Sequence, residues 1–357
     1  MTPSIAATTL LSLVTLSAFH PASAKCVPPK EAHFNWDDVE YLIAFGDSYT
    51  FVQGTYGYPN YSFIGNYLPG ELSFTPTELL SNRIVQNFTG TAEGGPNWVE
   101  YLTGCGVEPG EHLPSDCTIQ LWDFAFAGAD VSEEFLPLHH NFTTPLVNQT
   151  AQYLKWAEPV LGPRIEGRGT NKKAEAALVA VWIGINDVND SQSKKPANIT
   201  FQDFWQAEIE AVFSESVLPL FGAGYRNFLF VNLPPLDRTA ANQVKSNPSP
   251  SKEQVGWWNE ILANRAREFA ETNQGAKAMV YDANTFLNGV MNRPEQYGIT
   301  NLTYCPDYAQ LEVLTKPEEY GCRPLDEYFW YNSGHMSSHT HKIMVPNLIE
   351  FLEAQST

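Results

Sequence analysis

A chain of 357 residues is long enough for one large core, or for one domain carrying long insertions. Its net charge of −19 opposes nucleic acid, phosphorylated substrates and anionic polysaccharides as partners, and favours a small neutral one. No run of apolar residues is long enough for an ordinary membrane-spanning helix.

Residues 1–24 contain no Asp, Glu, Lys or Arg, and the apolar run from Ile5 to Phe19 closes on Ala22-Ser23-Ala24. That is the layout of a cleaved secretory signal. The expectation is a secreted, extracellular protein whose residues 25–357 form a single domain with long loop insertions. Sequons at Asn60, Asn87, Asn141, Asn148, Asn189, Asn198 and Asn301 fit that compartment as glycosylation acceptors, although such triplets also arise by chance. Asn189 is the least expected to be used, because it follows a chemical motif so closely. Short loops favour pairing Cys105 with Cys117 and Cys305 with Cys322, though spacing does not fix connectivity. Cys26 is left over, either free or bonded to another chain.

The first run rich in β-formers, Tyr41–Phe45, leads into Gly46-Asp47-Ser48. Ser48 is expected at the N-terminus of a following helix, where unpaired N–H groups favour a developing oxyanion. A serine at such a turn is more often only a cap. Segment 52–118 reads as loop. The second run, Leu121–Phe126, leads into Ala127-Gly128-Ala129-Asp130. Gly128 lets the backbone approach a ligand, or simply serves a tight turn. Segment 131–175 again reads as loop. The third run, Leu178–Ile183, precedes Gly184-Ile185-Asn186-Asp187, where Asn186 either aims its amide at an oxyanion or is a turn residue.

Helical period follows over Phe201–Phe221, then a strand over Asn227–Asn232 and an exposed turn over Lys245–Ser251. A second helix over Val255–Ala270 and a strand over Ala278–Tyr281 come next, followed by loop over 284–328. Tyr331-Asn332-Ser333-Gly334-His335 stands directly before a last helix, Ser338–Glu353, on whose surface His339 and His341 are expected. Strands alternating with helices of this length imply a parallel sheet covered on both faces. Ligands of such sheets bind at the carboxyl ends of the strands. The Ser48, Gly128 and Asn186 motifs fall there, and His335 stands on a loop that can reach them. A neutral hydroxyl needs such a base to take its proton before it becomes a good nucleophile.

These four blocks, in this order, resemble those of the GDSL/SGNH serine hydrolases. The resemblance spans Tyr41 to the last helix. It implies a flavodoxin-like three-layer α/β/α sandwich with a five-stranded parallel sheet. It also implies Ser48 as nucleophile, His335 as general base, and an oxyanion hole made by the Ser48 and Gly128 N–H groups and the Asn186 side chain. Phe34-Asn35-Trp36, Gly-Asp-Ser-Tyr-Thr at 46–50 and Asn-Ser-Gly-His-Met at 332–336 resemble the extracellular fungal carbohydrate acetylesterases. Those enzymes remove acetyl groups from xylo-oligosaccharides and other carbohydrates.

The family places Asp three residues before its histidine and Pro after it; here Asn332 and Met336 stand there. Either Asn332 offers its amide oxygen to the ring, or a backbone carbonyl near Ser333, or Asp326, orients it. An uncharged acceptor is favoured. The expected activity is hydrolysis of short-chain esters on acetylated oligosaccharide, by a monomer that needs no cofactor, no metal, no nucleic acid and no membrane. Tyr56, Tyr58, Tyr61 and Trp330 are candidates for a sugar platform. Three other readings stand: a lipase or phospholipase of the same family, a metallohydrolase using His335, His339 and His341, and a carbohydrate-binding protein without turnover.

Overall fold

The computed structural model describes Met1 and residues 33–64, 74–167 and 172–357. The signal segment 1–24 and Cys26 lie outside the described residues. Among the described residues seven strands form two sheets: β1 Tyr41–Gly46, β2 Ile84–Gln86, β3 Gly110–His112, β4 Gln120–Asp123, β5 Ala177–Trp182, β6 Asn227–Val231 and β7 Lys277–Tyr281. Five of them build a parallel sheet in the order β4-β1-β5-β6-β7, while β2 and β3 form a small antiparallel ribbon. Every residue of β1, β5 and β6 is buried. Runs such as Tyr-Leu-Ile-Ala-Phe and Ala-Leu-Val-Ala-Val-Trp are therefore covered from both sides, as parallel strands require.

One covering layer holds Lys252–Thr272, Phe201–Ala211 and the helical stretch from Leu146 to Glu166. The other holds Trp98–Thr103, Ala283–Asn292 and the final helix Ser338–Gln355. The arrangement is the three-layer α/β/α sandwich of the SGNH hydrolases. Five fully buried tryptophans, at 98, 182, 205, 258 and 330, fill the space between layers. The disulfides Cys105–Cys117 and Cys305–Cys322 are both formed, each closing a short surface loop.

Four sequence expectations change. Segment 131–175 is largely helical, running Leu146–Gln152, a π-helical turn Tyr153–Ala157, and Glu158–Glu166. Pro145, Pro159 and Pro163 masked it. Segments 52–118 and 284–328 also contain regular elements, the helices Pro76–Ser81 and Trp98–Thr103, the ribbon β2–β3 and all but the first residue of the helix Ala283–Asn292. Finally, Trp330 is entirely buried and is core, not platform, and His341 is entirely buried rather than on the helix surface. Among the described residues no helix is long and apolar enough to cross a membrane.

Candidate active site

Register aligns the carboxyl ends of the central strands. Gly46 pairs with Trp182, and the Phe126 N–H donates to the Gly46 carbonyl. Ser48, Gly128 and Asn186 follow these ends by a few residues, so the topology delivers all three to one edge of the sheet. Ser48 does not begin a helix, contrary to expectation. It sits in a single turn closed by the Thr50 and Phe51 N–H groups donating to the Asp47 carbonyl. The chain then leaves as an irregular segment, because Gly54 and Gly57 lie against the backbone of Ser62 and Phe63.

His335 stands over that turn. Its Nε2 lies 2.8 Å from Ser48 Oγ, and its Nδ1 lies 3.0 Å from Asn332 Oδ1. The same amide oxygen accepts the backbone N–H groups of Gly334 and His335, each at 2.9 Å. Two backbone donors demand an acceptor, which fixes the amide with its oxygen toward the ring. The ring must then carry its proton on Nδ1, leaving the Nε2 lone pair for the serine hydroxyl. Asn332 thus sets the tautomer without a charge. Neither Asp326 nor the Ser333 carbonyl makes that contact. His335 keeps some exposure, yet loss of hydration pushes its imidazole down to about 4.

Residues without a part in the motifs' expected chemistry hold the turn and the loop in place. The Tyr49 hydroxyl donates to the Gly334 carbonyl, and its ring lies 5.3 Å from the His335 ring. Gln149 clamps Gly46, accepting its N–H and donating to its carbonyl. Asp47 is fully buried and accepts the Tyr49 N–H at 2.9 Å; burial pushes its carboxyl up to about 8. Asp187 accepts the Val131 N–H at 2.8 Å, joining the Gly128 loop to the helix Ile185–Lys194. The visible signal for Asp47 and Asp187 is an acidic residue in an otherwise apolar strand terminus, where only a buried, hydrogen-bonded carboxyl fits.

Asn186 lies in the first turn of that helix, and its Nδ2 donates to the Ala129 carbonyl at 2.9 Å. One of its two amide hydrogens is engaged there, leaving the other for a ligand. Gly128 takes φ +79°, a left-handed conformation that a side chain resists. The three C-terminal histidines do not converge. His339 Nε2 contacts the Tyr297 carbonyl, and His341 faces the buried Glu93 at 4.0 Å. This leaves His335 as the histidine that reaches Ser48.

A serine hydroxyl, a histidine and an amide oxygen thus lie in one line of contacts, and two relatives of the chain are named acetylesterases. The chain is 27% identical over 269 residues to an acetylesterase of Thermothelomyces thermophilus, covering 74% of this chain and 77% of the relative. It is 23% identical over 337 residues to an acetylesterase of Hypocrea jecorina, covering 85% of each. A thermolabile hemolysin of Vibrio parahaemolyticus serotype O3:K6 (strain RIMD 2210633) is 21% identical over 276 residues, covering 74% of this chain and 56% of the relative. The model of the GDSL-like lipase/acylhydrolase family matches residues 42–345. The chain therefore belongs to the GDSL-like lipase/acylhydrolase family, and it is a carboxylic ester hydrolase.

Proposed function

We propose that the protein is a secreted esterase that removes short acyl groups, acetyl above all, from neutral oligosaccharides of plant cell-wall origin. The observation that carries this reading is the continuous line of contacts from Ser48 Oγ through His335 to Asn332 Oδ1. Ser48 Oγ attacks the acyl carbon as its proton passes to His335 Nε2. The carbonyl oxygen becomes an oxyanion, received by the Ser48 and Gly128 N–H groups and the free Asn186 amide hydrogen. His335 returns the proton to the leaving alcohol, and the acyl group remains on Ser48. Water then enters by the same route, releasing the acid and restoring the serine.

Substrate class rests on other observations. Two fungal relatives are named acetylesterases. The described loops contain no long amphipathic apolar segment to act as a lipase lid. Tyr58 stacks on Phe142 at 4.3 Å, and His140 stacks on the same ring at 4.9 Å. Tyr61 packs edge-on to both, and its carbonyl accepts the Ala127 N–H beside Gly128. This partly exposed group offers aromatic faces to a sugar ring close to the proposed oxyanion hole. The two disulfides and the exposed sequons Asn60, Asn87, Asn141 and Asn198 support an oxidising, extracellular compartment.

A panel of acetylated oligosaccharides and long-chain esters, run with wild type and Ser48→Ala, tests the reading. Acetyl esters should give the highest kcat/KM, and Ser48→Ala should lose that turnover. A preference for long acyl chains would replace the proposal with a lipase.

A further inference from the structure

Beside the catalytic edge lies a second group of side chains that the ester chemistry does not use. Asp130, His139 and Asp190 come from the Gly128 loop, its continuation and the Asn186 helix, respectively. Their ligand atoms all lie within 4.8 Å of one another. His139 Nε2 is 2.9 Å from Asp190 Oδ2 and 4.0 Å from Asp130 Oδ2. Asp130 is 2% exposed, and neither of its carboxylate oxygens has a hydrogen-bond donor. A buried carboxylate without donors is costly unless a cation or a proton neutralises it. Lys194 reaches only the outer partner, Asp190. Behind Asp130 stand the buried Asp187 and Glu208; burial first, and then repulsion from Asp187 and Asp130, raises the Glu208 carboxyl well above the usual range, so this cluster of acids holds negative charge only at a cost.

We propose that Asp130, His139 and Asp190 form a binding site for one divalent cation of the zinc type. One imidazole with two carboxylates matches that metal's ligand preferences, whereas calcium takes six to eight oxygens. A tetrahedral zinc with bonds of about 2.0 Å places its ligand atoms about 3.3 Å apart. The observed spacings bracket that value, so small side-chain movements complete the site. Binding takes the Nε2 lone pair of His139, with the ring N–H on Nδ1, and displaces Lys194 from Asp190. Side-chain exposures of 28% for His139 and 17% for Asp190 leave an opening for a water as fourth ligand.

The position gives the ion a structural task. His139 packs directly on Gly128, where an added Cβ would lie 3.3 Å from the His139 Cβ and ring. An ion held by these three residues ties the Gly128 loop to the helix bearing Asn186. Sequence spacing cannot reveal such a set, because its members come from segments separated in the chain and lack a zinc motif. Binding of the ion does not depend on the substrate or on the esterase roles proposed above.

The test is isothermal titration of the full secreted protein, dialysed against chelator, with zinc chloride, with Tm followed in parallel. The expected result is one zinc per chain and a rise in Tm. Asp130→Asn and His139→Ala should each weaken binding by roughly tenfold or more, while His112→Ala on the distant β3 should not. His139→Ala removes a partly exposed side chain, so it reports even if the buried Asp130 variant folds poorly. No zinc binding, binding unchanged in His139→Ala, or tighter binding of calcium than of zinc would overturn the proposal. The first of these results would mean that a proton, not a metal, neutralises Asp130.

Discussion

Asn332 gathers three donors on one oxygen, from two backbone amides and one ring nitrogen. An Asp there would make the same contacts and add a charge beside the imidazolium. The neutral acceptor fixes the tautomer but leaves the imidazolium without a counter-charge, consistent with a His335 pKa pushed well below the usual range. In the proposed mechanism only neutral His335 accepts the serine proton, so activity should persist into acid, with the acidic limb of kcat/KM below the ordinary histidine range. Asn332→Asp should stay active and move that limb upward in pH; a limb that stays put would show that residue 332 does not govern the base. Asn332→Ala should cost less than His335→Ala, and less than the roughly 10⁴-fold loss in kcat typical of a wrong tautomer. Steady-state kinetics of the two variants decides this. Asn186→Ala should lower kcat by roughly 10²–10³-fold with a smaller change in KM. The motif serine, glycine, asparagine and histidine were legible because each follows a strand or precedes the last helix. Tyr49 and Gln149 were not, since their roles are contacts across long stretches of chain.

At the level of elements, the five sheet strands were readable because burial on both faces leaves continuous apolar runs. The helical stretch from Leu146 to Glu166 was hidden by its prolines, and the structure explains how they are tolerated. π-helical turns at Tyr153–Ala157 and Val212–Val217 come just before Pro159 and Pro219. In each, the residue before the proline donates five residues back, Glu158 to Tyr153 and Leu218 to Phe213. The wider turn accommodates a missing N–H that would end an ordinary helix. Glycines give a sharp test of where backbone shape matters. Gly184 has φ +112°, and a Cβ there would lie 2.2 Å from the Trp258 ring. Gly184→Ala should destabilise by at least about 1–3 kcal/mol, read as a lower urea midpoint, and should displace Asn186. Gly256 lies exposed within the helix Lys252–Thr272, with nothing within 4 Å of its added Cβ. Gly256→Ala should raise stability by about 0.5–1 kcal/mol in the same assay.

For the molecule as a whole, the interior holds an unusual load of acid. Burial pushes Asp47 and Glu100 up to about 8, and raises Glu93 and Asp123 well above the carboxylate range. The folded state keeps protons that the unfolded state releases near pH 4, so the contribution to stability is full below that pH and falls as pH rises through 8. Buried His341, pushed down to about 3, contributes oppositely, with stability lost as pH falls from 6.5. Above pH 6.5 the acids act almost alone, and the net charge of −19 adds self-repulsion. Tm should therefore be higher at pH 6.5 than at pH 8, by calorimetry on chelator-treated protein. A Tm that rises over that interval would mean that these carboxyls are ionised inside the fold.

The most direct measurement is identification of the acyl-enzyme by mass spectrometry after rapid acid quench of turnover with an acetyl ester. The mechanism predicts a single acetyl group on Ser48, absent from Ser48→Ala and sharply reduced in His335→Ala. An acetyl group on a different residue, or undiminished turnover by Ser48→Ala, would contradict it.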